Sequence, residues 1–220
     1  MTPSRPEILL LCLVDSALIE DLYGTLLERI EERAKLKCAT TIDKAVRYLQ
    51  QKPKAVIVAD EGVTIPANRL VTEELEAYMR NGGLAIFGLC FPAFVDKNRF
   101  TNVFRARIGL PWVPGEVQQS TFKVNPECTL PDGTVVTSLP TPYKMQALLI
   151  KNARPKEKIY VPVELAMTES PVGSAPKLVD QTLAAVLGAK VGDGYLAYCG
   201  DINPNENLNQ VILSLCGCLW

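Results

Sequence analysis

Short, unbroken apolar runs alternate with segments of helical period through the first ninety residues, and that alternation limits the fold more than any other feature of the chain. Residues 7–14 read as a buried strand. Leu18, Leu22, Leu26 and Ile30, flanked by Ile19, Tyr23 and Leu27, then recur at the spacing of one helix face. Residues 36–39 predict a second strand, and Ile42, Ala45, Val46 and Leu49 a second helix with Thr41 as its cap. Residues 55–59 form a third strand ending on Asp60-Glu61-Gly62. Thr72, with Glu73 and Glu74 behind it, opens a third helix that Arg80 and Gly82-Gly83 close. Residues 84–88 supply a fourth strand. A strand that is apolar at every position must be covered on both faces, so the pattern predicts a parallel sheet between helical layers.

The second half is less regular. Phe100, Val103 and Phe104 predict a short helix ending at Gly109, followed by a proline-rich stretch over 111–142 that carries a strand at 120–125. Further strands are expected at 145–150 and 159–163. Residues 182–188 and 195–200 flank Gly192-Asp193-Gly194 and predict an antiparallel hairpin. Asn203 as cap, Pro204 at the first helical position and Glu206 at the third announce a final helix, with Leu208, Val211, Ile212 and Leu215 on its apolar face. With no repeat, linker or low-complexity tract, residues 1–220 are expected to form one domain: a flavodoxin-like three-layer α/β sandwich, with a mainly parallel central sheet and a C-terminal antiparallel hairpin.

Charge and composition remove several functional classes. The balance of 23 basic against 24 acidic residues leaves a net charge of −1, so no global field draws in nucleic acid or an anionic membrane. The longest clean apolar run, residues 8–14, is far shorter than the roughly 20 residues of a membrane span. Seven cysteines, an odd count in a chain with ample core, point to reduced thiols in the cytoplasm rather than to a secreted disulfide framework. The chain contains no histidine, which excludes any imidazole base, acid or metal ligand. The Cys216-Gly-Cys218 pair has no partner pair for zinc, and neither GxGxxG nor a Walker loop is present, so neither metal nor cofactor is expected.

In open α/β sheets, ligands bind beyond the carboxyl ends of the strands. That rule nominates Asp15 and Ser16 after the first strand, Asp60 and Glu61 after the third and Cys90 after the fourth. Asp201 joins them if the last hairpin strand runs the same way. Pro92 predicts a helix start, with Phe91 as its cap, and a thiol at a helix N-terminus is acidified by the dipole. Cys90 is therefore a candidate nucleophile, with Asp15, Asp60 and Asp201 as proton-transfer groups. Ser16, Glu61, Phe91 and Trp112 are expected to contact a small-molecule ligand. Cysteine is also among the most buried residue types, and a carboxylate after a strand is often only a helix cap, so each candidate has a structural alternative.

Residues 78–90, Tyr-Met-Arg-Asn-Gly-Gly-Leu-Ala-Ile-Phe-Gly-Leu-Cys, resemble the strand-to-nucleophile segment of the class I glutamine amidotransferase-like superfamily. Residues 181–201 resemble the closing hairpin of its ThuA-like branch, and residues 109–115 with 200–203 resemble a fungal set within it. The resemblance implies an amidotransferase-like fold with Cys90 at the nucleophile position. The chain departs from that pattern in two places: Pro92 stands where the elbow's second glycine belongs, and residues 200–204 lack the catalytic histidine. Glutamine hydrolysis by a Cys-His-Glu triad is thereby excluded. Two expectations remain. One is a hydratase, isomerase or cyclase of secondary metabolism using Cys90 and the strand-end aspartates. The other is a non-catalytic binding or dimerisation module. A homodimer is expected in either case, as small α/β domains of this superfamily often pair about a two-fold axis.

Overall fold

In the computed structural model, which describes residues 5–169 and 175–218, the four apolar runs become neighbouring parallel strands. They are β1 (Glu7–Leu11), β2 (Lys35–Ala39), β3 (Ala55–Val58) and β4 (Leu84–Phe87), in the spatial order β2-β1-β3-β4. Three helices connect them: α1 (Ser16–Arg33), α2 (Ile42–Gln50) and α3 (Arg69–Arg80). Strand alternation divides the apolar residues between two cores. Ile8, Leu10 and Ile57 pack with Ile19, Leu26 and Ile30 of α1. Leu9, Leu11, Val56 and Val58 pack with Leu49 of α2 and Leu75 of α3 on the other face. Each such side chain taken fully out of water contributes about 1.5–3 kcal/mol. At the β2 edge, Lys35 and Lys37 lie 3.3 and 2.6 Å from the Glu7 carboxylate, and these charges discourage pairing with another chain.

Beyond β4 the chain makes two short helices, α4 (Phe91–Phe94) and α5 (Lys97–Thr101), the second running on into a wider π turn over Asn102–Ile108. Gly109, at φ +89°, stops it as expected. Five more strands follow: β5 (Val113–Val124), β6 (Tyr143–Lys151), β7 (Lys158–Pro162), β8 (Val186–Val191) and β9 (Gly194–Cys199). The full order is β2-β1-β3-β4-β9-β8-β7-β5-β6, in which β9 runs parallel to β4 and every later pairing is antiparallel. The sheet is therefore mixed rather than mainly parallel. The second half places no long crossover helix between its strands, and without one neighbouring strands pair antiparallel. The last helix, α6 (Glu206–Leu215), covers the α1 side of the sheet.

Several boundaries differ from the sequence expectation: β1 stops at Leu11 rather than at 14, and β8 runs over Val186–Val191 rather than 182–188. Strand β5 begins seven residues before 120, and Pro114 and Gly115 in its first turn coincide with a register shift between Pro114 and Val117 that masks the strand pattern. Helix α3 begins at Arg69; Thr72 lies inside it and donates its hydroxyl to Val63 O at 2.5 Å instead of capping. Helix α6 begins at Glu206 with Asn205 as its cap, its Oδ1 accepting Leu208 N–H at 2.9 Å, while the Asn203 side chain turns to Gln146 Oε1 at 3.2 Å. Finally, β6 folds back across the end of β9: Leu148 N donates to Gly200 O and Ile150 N to Ala184 O, both at 2.9 Å. Gly200 is required there, since a Cβ would stand 2.6 Å from Leu148 O.

Candidate functional site

Strands β1, β3, β4 and β9 all end at one edge of the sheet, so Asp15, Asp60, Cys90 and Asp201 all follow strands that point to the same side. Only some of them share a cavity. A cleft of about 150 Å³ is lined by Val14, Asp15, Leu18, Asp60, Glu61, Cys90 and Phe94. Asp15 is exposed and caps α1, its carboxylate accepting Leu18 N–H at 3.0 Å. Asp60 is 3% exposed and fully engaged. Its Oδ2 accepts Val14 N–H at 2.8 Å and the Cys12 thiol at 3.0 Å, and its Oδ1 accepts Gly62 N–H at 3.0 Å. Asp60 thus ties the end of β3 to the loop leaving β1, and no oxygen of it is left without a donor.

Cys90 is 4% exposed, and among the described residues its thiol has no hydrogen-bond acceptor. Burial pushes its pKa up to about 11, and the negative fields of Asp60, Glu61 and Asp15 push the same way. The expected acidification by a helix dipole does not occur: α4 is a single turn, and its weak dipole is outweighed by desolvation and three carboxylates. The backbone differs from expectation as well. Cys90 itself is the cap, at φ −78° and ψ −16°, and Phe91 is the first helical residue. The strained position is Leu89, at φ +59° and wholly buried. A nucleophile elbow places its nucleophile on the sharp, strained strand-to-helix turn, and here a leucine occupies the strained residue.

The remaining candidates lie elsewhere. Phe91 and Trp112 are both 0% exposed and belong to an aromatic cluster with Phe87, Phe100, Phe104 and Tyr198. The Trp112 indole N–H donates to Glu157 Oε2 at 2.9 Å, so neither ring faces the cleft. Ser16 opens α1 beside the cleft without lining it. Asp201 is sealed under β6 with 0% exposure, and accepts Asn203 N–H at 3.1 Å and the Asn205 side-chain N–H at 2.9 Å. Burial pushes its pKa up to about 6 against those hydrogen bonds. Two tyrosines the sequence did not single out sit in its field. Burial, with the negative fields of Cys90 and Asp201, pushes the Tyr23 hydroxyl's pKa up, and the buried Tyr143 hydroxyl has no partner among the described residues. Both fall on apolar faces, so nothing in the sequence separated their hydroxyls from ordinary core. All seven cysteines are free thiols, and among the described residues no three His, Cys, Asp or Glu side chains converge as a metal site requires.

Neither a family model nor a curated protein matches the sequence. Solved structures do. The chain superposes on a ThuA-like protein from Bacteroides uniformis with a TM-score of 0.63 and 15% identity, over 98% of this chain and 91% of the other. The fold is that of the ThuA-like proteins. A cytoplasmic protein of Salmonella typhimurium also matches over nearly its whole length, with a TM-score of 0.53 and 10% identity across 96% of this chain and 97% of that one. The β-galactosidase of Bacillus circulans sp. alkalophilus matches with a TM-score of 0.55 and 15% identity, and there the chain spans only 31% of the other protein. A second ThuA-like protein, from Parabacteroides merdae, matches with a TM-score of 0.52 and 12% identity over 98% of this chain and 88% of that one, and the fungal subset finds no support among these matches. No helix among the described residues is long and apolar enough to cross a membrane.

Proposed function

We propose that this chain is a small-molecule-binding module on a ThuA-like fold, carrying no covalent chemistry. The observation that supports this most is the state of Cys90: a buried, neutral thiol whose charged neighbours in the cleft are all carboxylates. Asp60 has no oxygen free to take the proton, and Asp15 is occupied as a cap. What the cleft offers instead is an acidic rim of Asp15 and Glu61 beside the apolar walls of Val14, Leu18 and Phe94. That combination favours a ligand with a cationic group on an apolar body. Free thiols and a like-folded cytoplasmic protein support a cytoplasmic setting.

Iodoacetamide labelling across pH with peptide mapping tests the absence of nucleophilic chemistry. With its pKa pushed up to about 11 from an ordinary 9.0, Cys90 holds ~100-fold less thiolate at neutral pH than an unperturbed thiol. It is expected to react far more slowly than the exposed Cys38. Faster labelling of Cys90 near neutral pH would return the enzyme reading. For binding, phenethylamine should raise the melting temperature more than 2-phenylethanol does, and Glu61→Gln should remove that difference. Equal shifts from both probes would overturn the assignment of a cationic ligand.

A further inference from the structure

A second and larger cavity, of about 430 Å³, opens at the opposite edge of the sheet, where β3 and β4 begin. Leu49, Pro53, Ala77 and Tyr78 form its apolar lining, and Lys52, Lys54 and Glu74 supply charges of both signs, Lys54 being held by Gly217 O at 3.0 Å. Its volume lies within the range of small-molecule sites, about 300–1,000 Å³.

Two observations distinguish it from a groove left over by packing. The first is backbone strain. Lys52 sits just past the end of α2 at φ +53°, with its N–H bound to Leu49 O at 3.0 Å. Glycine is the usual residue at this left-handed position, and a side chain there is strained. Lys52 is exposed, so no buried contact of its side chain compensates. The second observation is the pairing of the neighbouring charges. Lys37 is bound to Glu7 and Gln51, and Lys54 donates to Gly217 O. On α3, Glu73 pairs with Arg69 and Glu76 with Arg80. Among the described residues, Lys52 and Glu74 have no such partner, and both line this cavity.

We propose that this cavity binds a small zwitterion of amino-acid or dipeptide size. Its carboxylate meets Lys52, its ammonium meets Glu74, and its apolar side chain lies over Leu49, Pro53 and Tyr78. A purely anionic ligand would face Glu74 uncompensated, and a purely cationic one would face Lys52; a zwitterion satisfies both while covering the apolar lining. The site is independent of the cleft at the other edge.

Titration calorimetry and thermal shift on the full chain test this, with L-leucyl-L-leucine as probe beside its N-acetyl and C-amide forms. The free dipeptide is expected to bind saturably, and each blocked form about tenfold more weakly. Lys52→Gly should raise the melting temperature of the unliganded protein, by relieving the strain, while weakening the dipeptide about tenfold. Glu74→Gln should weaken the free dipeptide and leave the N-acetyl form unchanged. Lys156→Gln, an exposed side chain that lines neither cavity, should leave the dipeptide's affinity unchanged. No saturable binding up to ~10 mM, an unaltered affinity in Lys52→Gly, or loss of binding in Lys156→Gln would each overturn the proposal.

Discussion

Asp201 and Asp60 are both buried carboxylates, but their surroundings give them different roles. Asp201 is wholly buried with two hydrogen bonds and a pKa pushed up from 3.8 to about 6. The folded state therefore prefers its protonated form. Its contribution to stability is fully present below about pH 4 and is lost as pH rises through about 6, amounting to about 3 kcal/mol by pH 8. Urea unfolding of wild type and Asp201→Asn at several pH values should show the gap between them changing by that amount in favour of the variant as pH rises from 4 to 8. A gap independent of pH would place the titration elsewhere. Asp60 acts instead as an acceptor for three donors. Asp60→Ala leaves Gly62 N–H buried and Val14 N–H part-buried without partners, and is expected to lower stability by about 2 kcal/mol in the same assay. Of these roles, the sequence placed Asp15, Asp60, Glu61 and Cys90 at one edge, because each follows an apolar strand. It could not show that the thiol would be neutral, since that depends on how deeply the folded chain buries it.

At the scale of elements, helix ends carry the clearest consequences. α1 departs from helical geometry at Tyr23, at φ −122°, and Gly24 follows it with open space where a Cβ would stand. Gly24→Ala is expected to stabilise the protein by about 0.5–1 kcal/mol through a less flexible unfolded chain and better helix propensity. Gly82, by contrast, holds φ +97° just beyond α3, and Gly82→Ala should cost about 1 kcal/mol. Lys52→Gly should gain a similar amount at the end of α2. Thermal melts of the three variants check the signs, and a stabilising Gly82→Ala would remove the argument from left-handed geometry. Strands β1, β3 and β4 and helices α1 and α2 were legible because a single periodicity marks each. The starts of α3 and α6 were not, because Thr72 and Asn203 have capping side chains whose hydrogen bonds the fold commits elsewhere.

The whole molecule joins a parallel half to an antiparallel half through one nine-stranded sheet, and both of its cores extend into both halves. Phe122 and Tyr160, from β5 and β7, belong to the same core as Ile8 and Ile30. Unfolding should therefore be one cooperative transition, with tryptophan emission and far-ultraviolet circular dichroism sharing a midpoint in urea. Separate midpoints would show two units folding independently. The local sequence by itself determined the parallel strands, the helices between them and the edge on which the acidic residues gather, because apolar period and chain direction are properties of neighbouring residues. Only the tertiary structure decided that the later strands pair antiparallel, that β6 seals Asp201 away from Cys90, and that the elbow's strain falls on Leu89. Pairing partners, desolvation and backbone strain arise from segments far apart in the chain, and no local pattern of residues encodes them.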